Sequence, residues 1–271
     1  MPPFCIMDDI KALKIKLEKL YDFYNHKKFI HPDPLEFLYD YKNLKDREIV
    51  GLIASSLAYG RVHAILKAVK KILVKIGPSP SSFILENDLN QYKEVFNGFK
   101  YRFTDTDEIC TLLLGIKNII LNYGSLRNCF EQAISPKDDT ILGALSKFFK
   151  ELNKASGRDL KFLLPLPERG SACKRANLFL RWMIRKDRVD PGGWDQRLCS
   201  KLIIPLDTHM YKIAIELGLT SKKVQNLKTA IEITNAFKVI SPNDPVKYDF
   251  ALTRAGIRNE EFTLLKPNKE R

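Results

Sequence analysis

Two stretches of the 271-residue chain hold side chains whose types and spacing bear on chemistry. The first, "KLIIPLDTHMYKI" at 201–213, runs from aliphatics through Pro205 to Leu206, Asp207, Thr208 and His209. Asp207 stands where a helix opens. It reads as an N-cap accepting backbone N–H bonds, as a catalytic carboxylate, or as both. The roles are compatible: the helix dipole favours the ionised form by about 0.3–1 kcal/mol, and an anion is what a cationic transition state needs. The second stretch, "RGSACKRANLFLRWMIRKDR" at 169–188, carries Arg169, Lys174, Arg175, Arg181, Arg185, Lys186 and Arg188 against Asp187 alone. Lys174, Arg181, Arg185 and Arg188 follow at helical steps and share one stripe, with Phe179, Leu180 and Met183 on the apolar side. The Gly170–Ser171 turn before them can offer N–H groups to a phosphate, and Arg181 and Arg185 can pair with its neighbours. A solvated cationic face explains the same charge equally well.

The elements that must position these residues are helical nearly throughout. Ile10, Leu13, Leu17, Leu20 and Tyr24 recur at three- and four-residue steps among lysines. "DREIVGLIASSLAYGRVHAILKAVKKILVKIG" predicts a helix capped by Asp46 and stopped at Gly77, divided in two at Tyr59–Gly60–Arg61. "DEICTLLLGIKNIILNYG" and "TILGALSKFFKELNKASG" predict two more helices, each stopped by glycine. "LKFLLPLPERGS" has two prolines and reads as a connector. After it come the helix "CKRANLFLRWMIR", a loop "KDRVDPGGWDQRL", the helix opened by Asp207 and stopped at Gly218, and a helix over "SKKVQNLKTAIEITNAFKVI". The last helix is expected in "NDPVKYDFALTRAG", with Asp244 as N-cap, Pro245 at its first position and Gly256 as its stop. No stretch alternates over a strand's length. The expected fold class is all-α.

Composition narrows the partners. Hydrophobic residues make up 45% of the chain, enough for a sizeable core. The balance of 45 Lys and Arg against 32 acids gives +13, which favours a polyanion, either nucleic acid or an anionic membrane surface. The basic helices lack the bulky aromatic faces that insert into a membrane. No run reaches eighteen apolar residues, since "TLLLGIKNIIL" is broken by Lys117. Asp8 and Asp9 stand where a signal peptide needs an apolar core. The expectation is a soluble intracellular protein. Cys5, Cys110, Cys129, Cys173 and Cys199 are scattered, without C-x-x-C or a His pair at ligand spacing, so neither a disulfide framework, a zinc site nor a metal cluster is expected.

The stretches "RGSACKRAN" and "PLDTHMYKIAIELGL" resemble the signature of the helix–hairpin–helix DNA glycosylases, which include endonuclease III and the archaeal 8-oxoguanine DNA glycosylase. That signature is a glycine turn, a helix carrying a catalytic lysine, and a later hydrophobic-Asp-Thr-His run opening another helix. The overall pattern "KRANLFLRWMIR…DPGGW…PLDTH…DPVKYDFAL" is also similar to that of a largely uncharacterised prokaryotic family. The resemblance covers about residues 46–257 in helical order and is specific only around Lys174 and Asp207. The 33-residue spacing between these two resembles the archaeal 8-oxoguanine branch.

The resemblance implies a bifunctional DNA glycosylase and AP lyase of base excision repair, cytoplasmic and monomeric, acting without metal or organic cofactor. The partner is double-stranded DNA with a damaged base, an oxidised purine such as 8-oxoguanine first. Lys174 becomes the nucleophile and Asp207 the stabilising carboxylate; Arg175 and Arg181 supply the cationic surroundings that keep an amine neutral. Arg169, Gly170, Ser171, His209 and Lys212 are expected at phosphates. Tyr59 and Arg61 lie in the turn that enters the duplex to replace an extruded base. Asp249 matches the aspartate that holds the base, Ser56 or its neighbour Ser55 stands in place of a base-reading glutamine, and Trp194 on its glycine-rich loop is placed to stack on a flipped base. Thr253 replaces an aromatic that accompanies the aspartate. The implied division has one lobe at 46–189 with the lysine and a second at 1–45 plus 190–271 with the aspartate, the site lying in the cleft between. A glycosylase for another damaged base, or a non-catalytic nucleic-acid-binding protein on the same scaffold, are the alternatives. The binding protein has use for the arginine stripe but none for Lys174 with Asp207.

Overall fold

The computed structural model describes residues 7–257, and among them the protein is all-α. The backbone divides into two compact units. One combines the N-terminal segment up to Phe29 with the chain from Gly170 onward; the other is Ile30–Arg169. These boundaries differ from the expected lobes and bring Lys174 and Asp207 into the same unit. The reason is visible in the helix that Lys174 opens: its arginines pair with Asp190, Asp244 and Asp249, which tie it to the C-terminal segment.

Helix α1 (Met7–Tyr24) buries Leu13, Leu17, Leu20 and Tyr24 along one face. The chain then enters the Ile30–Arg169 unit through a 3-10 segment and α2 (Leu44–Ser56). The cap of α2 is Asn43, whose side chain accepts from Lys45 N at 2.8 Å. Asp46, the expected cap, lies inside the helix, buried, and accepts from Ser81 N at 2.7 Å. Helix α3 (Val62–Ile76) follows the predicted break and ends at Gly77. Short helices α4 (Pro80–Glu86) and α5 (Leu89–Val95) lead to a hairpin of two-residue strands, β1 (Lys100–Tyr101) and β2 (Thr104–Asp105), paired antiparallel. Helix α6 (Thr106–Tyr123) is capped by Asp105 and stopped by Gly124 in the left-handed region. It packs against α5, α7 (Leu126–Gln132) and α8 (Leu142–Ala155). At Gly115 a Cβ would come 3.0 Å from Leu152 O, so glycine lets α6 and α8 approach closely.

In the other unit, α9 (Lys174–Ile184), α10 (Thr208–Glu216), α11 (Leu227–Ile240) and α12 (Asp249–Ile257) join α1. Helix α12 packs on α1 and α10, and α1 on α11. Phe179, Trp182, Met183, Ile233, Phe237 and Leu252 are fully enclosed. Removing such a side chain to Ala costs about 2–5 kcal/mol. Two expected boundaries move. Helix α11 begins at Leu227, capped by Asn226, because the charged "SKKVQ" has no apolar face to bury. Helix α12 begins at Asp249, and Gly256 lies inside it; Asp244 is held by Arg185 instead of capping a helix. Among the described residues no single helix is long and apolar enough to cross a membrane. Cys110, Cys129 and Cys173 are buried free thiols and Cys199 is half-buried; Cys5 lies outside the described residues.

Candidate active site

Asp207 caps α10: its Oδ1 accepts from Met210 N at 2.9 Å. Its approach is fixed by a buried run, Leu202 to Leu206, in which Ile204 N donates to Thr234 Oγ1 at 3.0 Å. The second oxygen, Oδ2, lies 3.6 Å from Lys174 Nζ. About a third of each side chain is exposed, 33% for Lys174 and 29% for Asp207. The expected pair therefore meets, within reach of solvent, at a distance slightly beyond a hydrogen bond.

Lys174 is the first residue of α9. Gly170 (φ +75) and Cys173 (φ +48) both adopt left-handed backbone, and Ser171 Oγ accepts from Cys173 N at 3.2 Å. The turn is tied down by Leu227 N donating to Gly170 O and by Asn177 Nδ2 donating to Ala172 O. No side chain of the N-cap residue covers the first turn of α9. Arg169 and Gly170 are exposed, and Ser171 and Arg175 half-buried; Arg169 pairs with Asp159 at 2.7 Å. His209 and Lys212 are exposed on the first turns of α10.

The arginine stripe faces the other way. Arg181 and Arg185 are each only 3% exposed. Arg181 pairs with Asp249 and, at 3.1 Å, with Asp190; Arg185 pairs with Asp190, with Asp187 at 3.0 Å and with Asp244 at 3.0 Å. Tyr21 Oη adds a bond to Asp187 at 3.0 Å. Neither arginine is available to a DNA phosphate, and Arg181 is no free cation beside Lys174, because its charge is answered by two carboxylates. Of the stripe's distal residues only Arg188 is exposed, near His26 Nε2 at 3.3 Å.

Asp249 is 2% exposed. Burial pushes its carboxyl up to about 6 against the pull of Arg181, and the charges of Asp207 and Asp190 push the same way. Its Oδ1 is one of a few buried side-chain atoms without a hydrogen-bond partner among the described residues. Thr253 Oγ1, one turn on, turns back to the Asp249 carbonyl at 2.8 Å. Trp194 is not presented for stacking: it is 4% exposed and lies edge-on to Phe179, centroids 5.3 Å apart. The loop holding it folds back on α9, with Gly192 N donating to Trp182 O and Trp194 N to Met183 O. A side chain at Gly192 would meet Arg185 O at 2.8 Å.

In the Ile30–Arg169 unit, Ser55 and Ser56 are buried inside α2, and Ser55 Oγ turns to its own helix at Leu52 O. Tyr59 is half-buried; its hydroxyl donates to Tyr101 O at 3.0 Å and lies 2.7 Å from Thr104 Oγ1, so it is anchored and not free to insert into a duplex. Arg61 is exposed at the N-cap of α3. The exposed aromatic beside them is Phe103, 67% exposed, which helical periodicity gave no reason to single out.

Two features define this protein as a class: an all-helical chain, and a surface lysine at one helix start facing the capping carboxylate of another. The chain belongs to the family described as "Protein of unknown function (DUF2400)", whose model matches residues 33–258. No curated protein and no solved structure matches it.

Proposed function

We propose that the protein is a DNA glycosylase with associated AP lyase activity, acting as a monomer on duplex DNA that carries a damaged base, an oxidised purine such as 8-oxoguanine first. The observation that carries this reading is the 3.6 Å approach of Lys174 Nζ to Asp207 Oδ2, with both side chains open to a ligand. Lys174, once it has passed its ammonium proton to solvent, attacks the sugar C1′; the bond to the base breaks and the base leaves with the electron pair and takes up a proton. Asp207 answers the positive charge that grows on the sugar as this happens. A charge pair about 4 Å apart at an effective dielectric of 20 is worth roughly 4 kcal/mol, about a thousandfold in rate when made mainly in the transition state. Ring opening leaves a Schiff base between Lys174 and the sugar, and loss of a proton at C2′ expels the 3′ phosphate.

The turn at Gly170–Ser171, together with His209 and Lys212, is suited to phosphates on either side of that sugar. Asp249 is suited to the base only in a bound state that uncovers it, since it is now enclosed. Borohydride trapping on duplexes with single lesions tests the reading. A covalent adduct with 8-oxoguanine DNA that vanishes in Lys174→Gln is expected. Tight binding with neither adduct nor excision on any lesion supports a non-catalytic nucleic-acid-binding protein instead.

A further inference from the structure

We infer that Phe103, at the tip of the β1–β2 hairpin, is a stacking platform for a nucleobase of bound nucleic acid, with Arg61 and Arg102 at the adjoining phosphates. The inference rests on the nucleic-acid part of the reading above and not on its chemistry.

Four aromatic rings gather at this point of the Ile30–Arg169 unit. Tyr59 lies 4.9 Å from Tyr101 and 4.9 Å from Phe162, centroid to centroid, and Phe103 lies 5.4 Å from Phe162 and 6.5 Å from Tyr59. The tyrosines are fastened to the backbone: Tyr101 Oη donates to Tyr59 O while Tyr59 Oη donates to Tyr101 O. Three rings thus form a rigid base, while Phe103 keeps 67% of its surface in water. Arg102 holds a left-handed backbone (φ +50), which a non-glycine residue rarely adopts, and turns the hairpin in two residues. Its guanidinium carbon lies 5.6 Å from the Phe103 ring centroid. The same side chain occupies the space over Gly60, where a Cβ would meet Arg102 Nη1 at 2.5 Å, so the hairpin tip adjoins the start of α3.

The surrounding charge chooses the partner. Arg61, Lys100, Arg102 and Lys161 are all exposed in these segments, while the neighbouring acids are engaged: Asp105 caps α6 opposite Lys100, Asp107 pairs with Lys93 and Asp159 with Arg169. A rigid, solvent-facing aromatic ringed by cations suits a ligand with flat apolar faces joined by anions. That is single-stranded or locally unpaired nucleic acid, in which every base offers a face for stacking. An apolar protein partner would leave these cations desolvated and unanswered.

The test is a duplex with 2-aminopurine beside a tetrahydrofuran abasic site, titrated with the full chain. Wild-type protein is expected to change the 2-aminopurine fluorescence. Phe103→Ala should lose most of that change and bind about tenfold more weakly, within the range found for base–aromatic stacking. Phe103→Tyr should restore both. Because the ring is exposed, Phe103→Ala should melt with the wild type, which separates lost stacking from lost fold. Unchanged binding and fluorescence in Phe103→Ala overturn the inference, as does a wild-type protein with no affinity for the duplex. If no lesion yields a trapped adduct but the Phe103-dependent signal persists, the glycosylase reading fails and the platform stands. Trapping through Lys174 with an indifferent Phe103→Ala gives the reverse.

Discussion

Lys174 and Arg181 stand seven residues apart on α9, and each meets an aspartate under opposite conditions. Lys174 approaches Asp207 at 3.6 Å with about a third of each side chain exposed, and neither group is saturated by the other. Arg181 and Arg185 share the fully buried Asp190 and reach buried Asp249 as well, with Asp187 and Asp244, both partly exposed, at the margin of the network. Screening makes the first pair nearly worthless as a fastening, which leaves it free to act on a ligand. The second has given up solvation and repays it only with every partner in place. One helix thus presents a solvent-open pair at its start and an architectural one along its length.

The contrast can be broken most strongly at Arg181. Replacing it with Ala leaves buried Asp249 without its counter-charge and Asp190 with Arg185 alone, so unfolding in denaturant should report a loss of about 3–5 kcal/mol. Next is the proposed chemistry. Asp207→Asn keeps a good N-cap while removing the charge, so excision should fall by about 10²–10³-fold with stability unchanged. Asp207→Ala should add a loss of about 1 kcal/mol in stability, the cost of the missing cap. An Asn variant that excises normally would return Asp207 to a capping role.

Acidity sharpens the comparison further. The Asp249 carboxyl is raised from 3.8 to about 6, so the folded state holds its proton more tightly than the unfolded chain. Its contribution is fully present below pH 3.8 and is lost as pH rises through 6. The difference between wild-type and Asp249→Asn stability curves should therefore drift by up to about 3 kcal/mol across that window, against the wild type as pH rises. A flat difference would mean the network keeps Asp249 ionised. The smallest effect is expected at Lys174→Gln, within about 0.5 kcal/mol of wild-type stability, because the lost pair is exposed.

What the chain reveals before folding follows the range of the forces involved. The cap at Asp207 and the stops at Gly77 and Gly124 are local events, settled by a few neighbouring residues, and they are legible. The stripe of Lys174, Arg181, Arg185 and Arg188 is legible as a stripe. Its direction is not, because Asp244 and Asp249, two of the acids that draw it inward, lie some sixty residues further on. Asp244 followed by proline has the local look of a helix start, and a distant guanidinium overrides it. Trp194 sits in a loop whose glycines suggest freedom, yet backbone bonds to α9 enclose it. Phe103 shows no periodic signal at all; its exposure depends on a two-residue turn and on rings contributed from elsewhere in the chain.

Asp207 divides its oxygens between two neighbours, a backbone amide three residues on and an amine from another helix. Winding of the first turn of α10 therefore also aims the outward oxygen, with no separate rotamer search when a ligand arrives. A loosened first turn would swing that oxygen off line while leaving every side chain chemically intact, so under the proposed chemistry fraying there would register as lost turnover before it registered as melting.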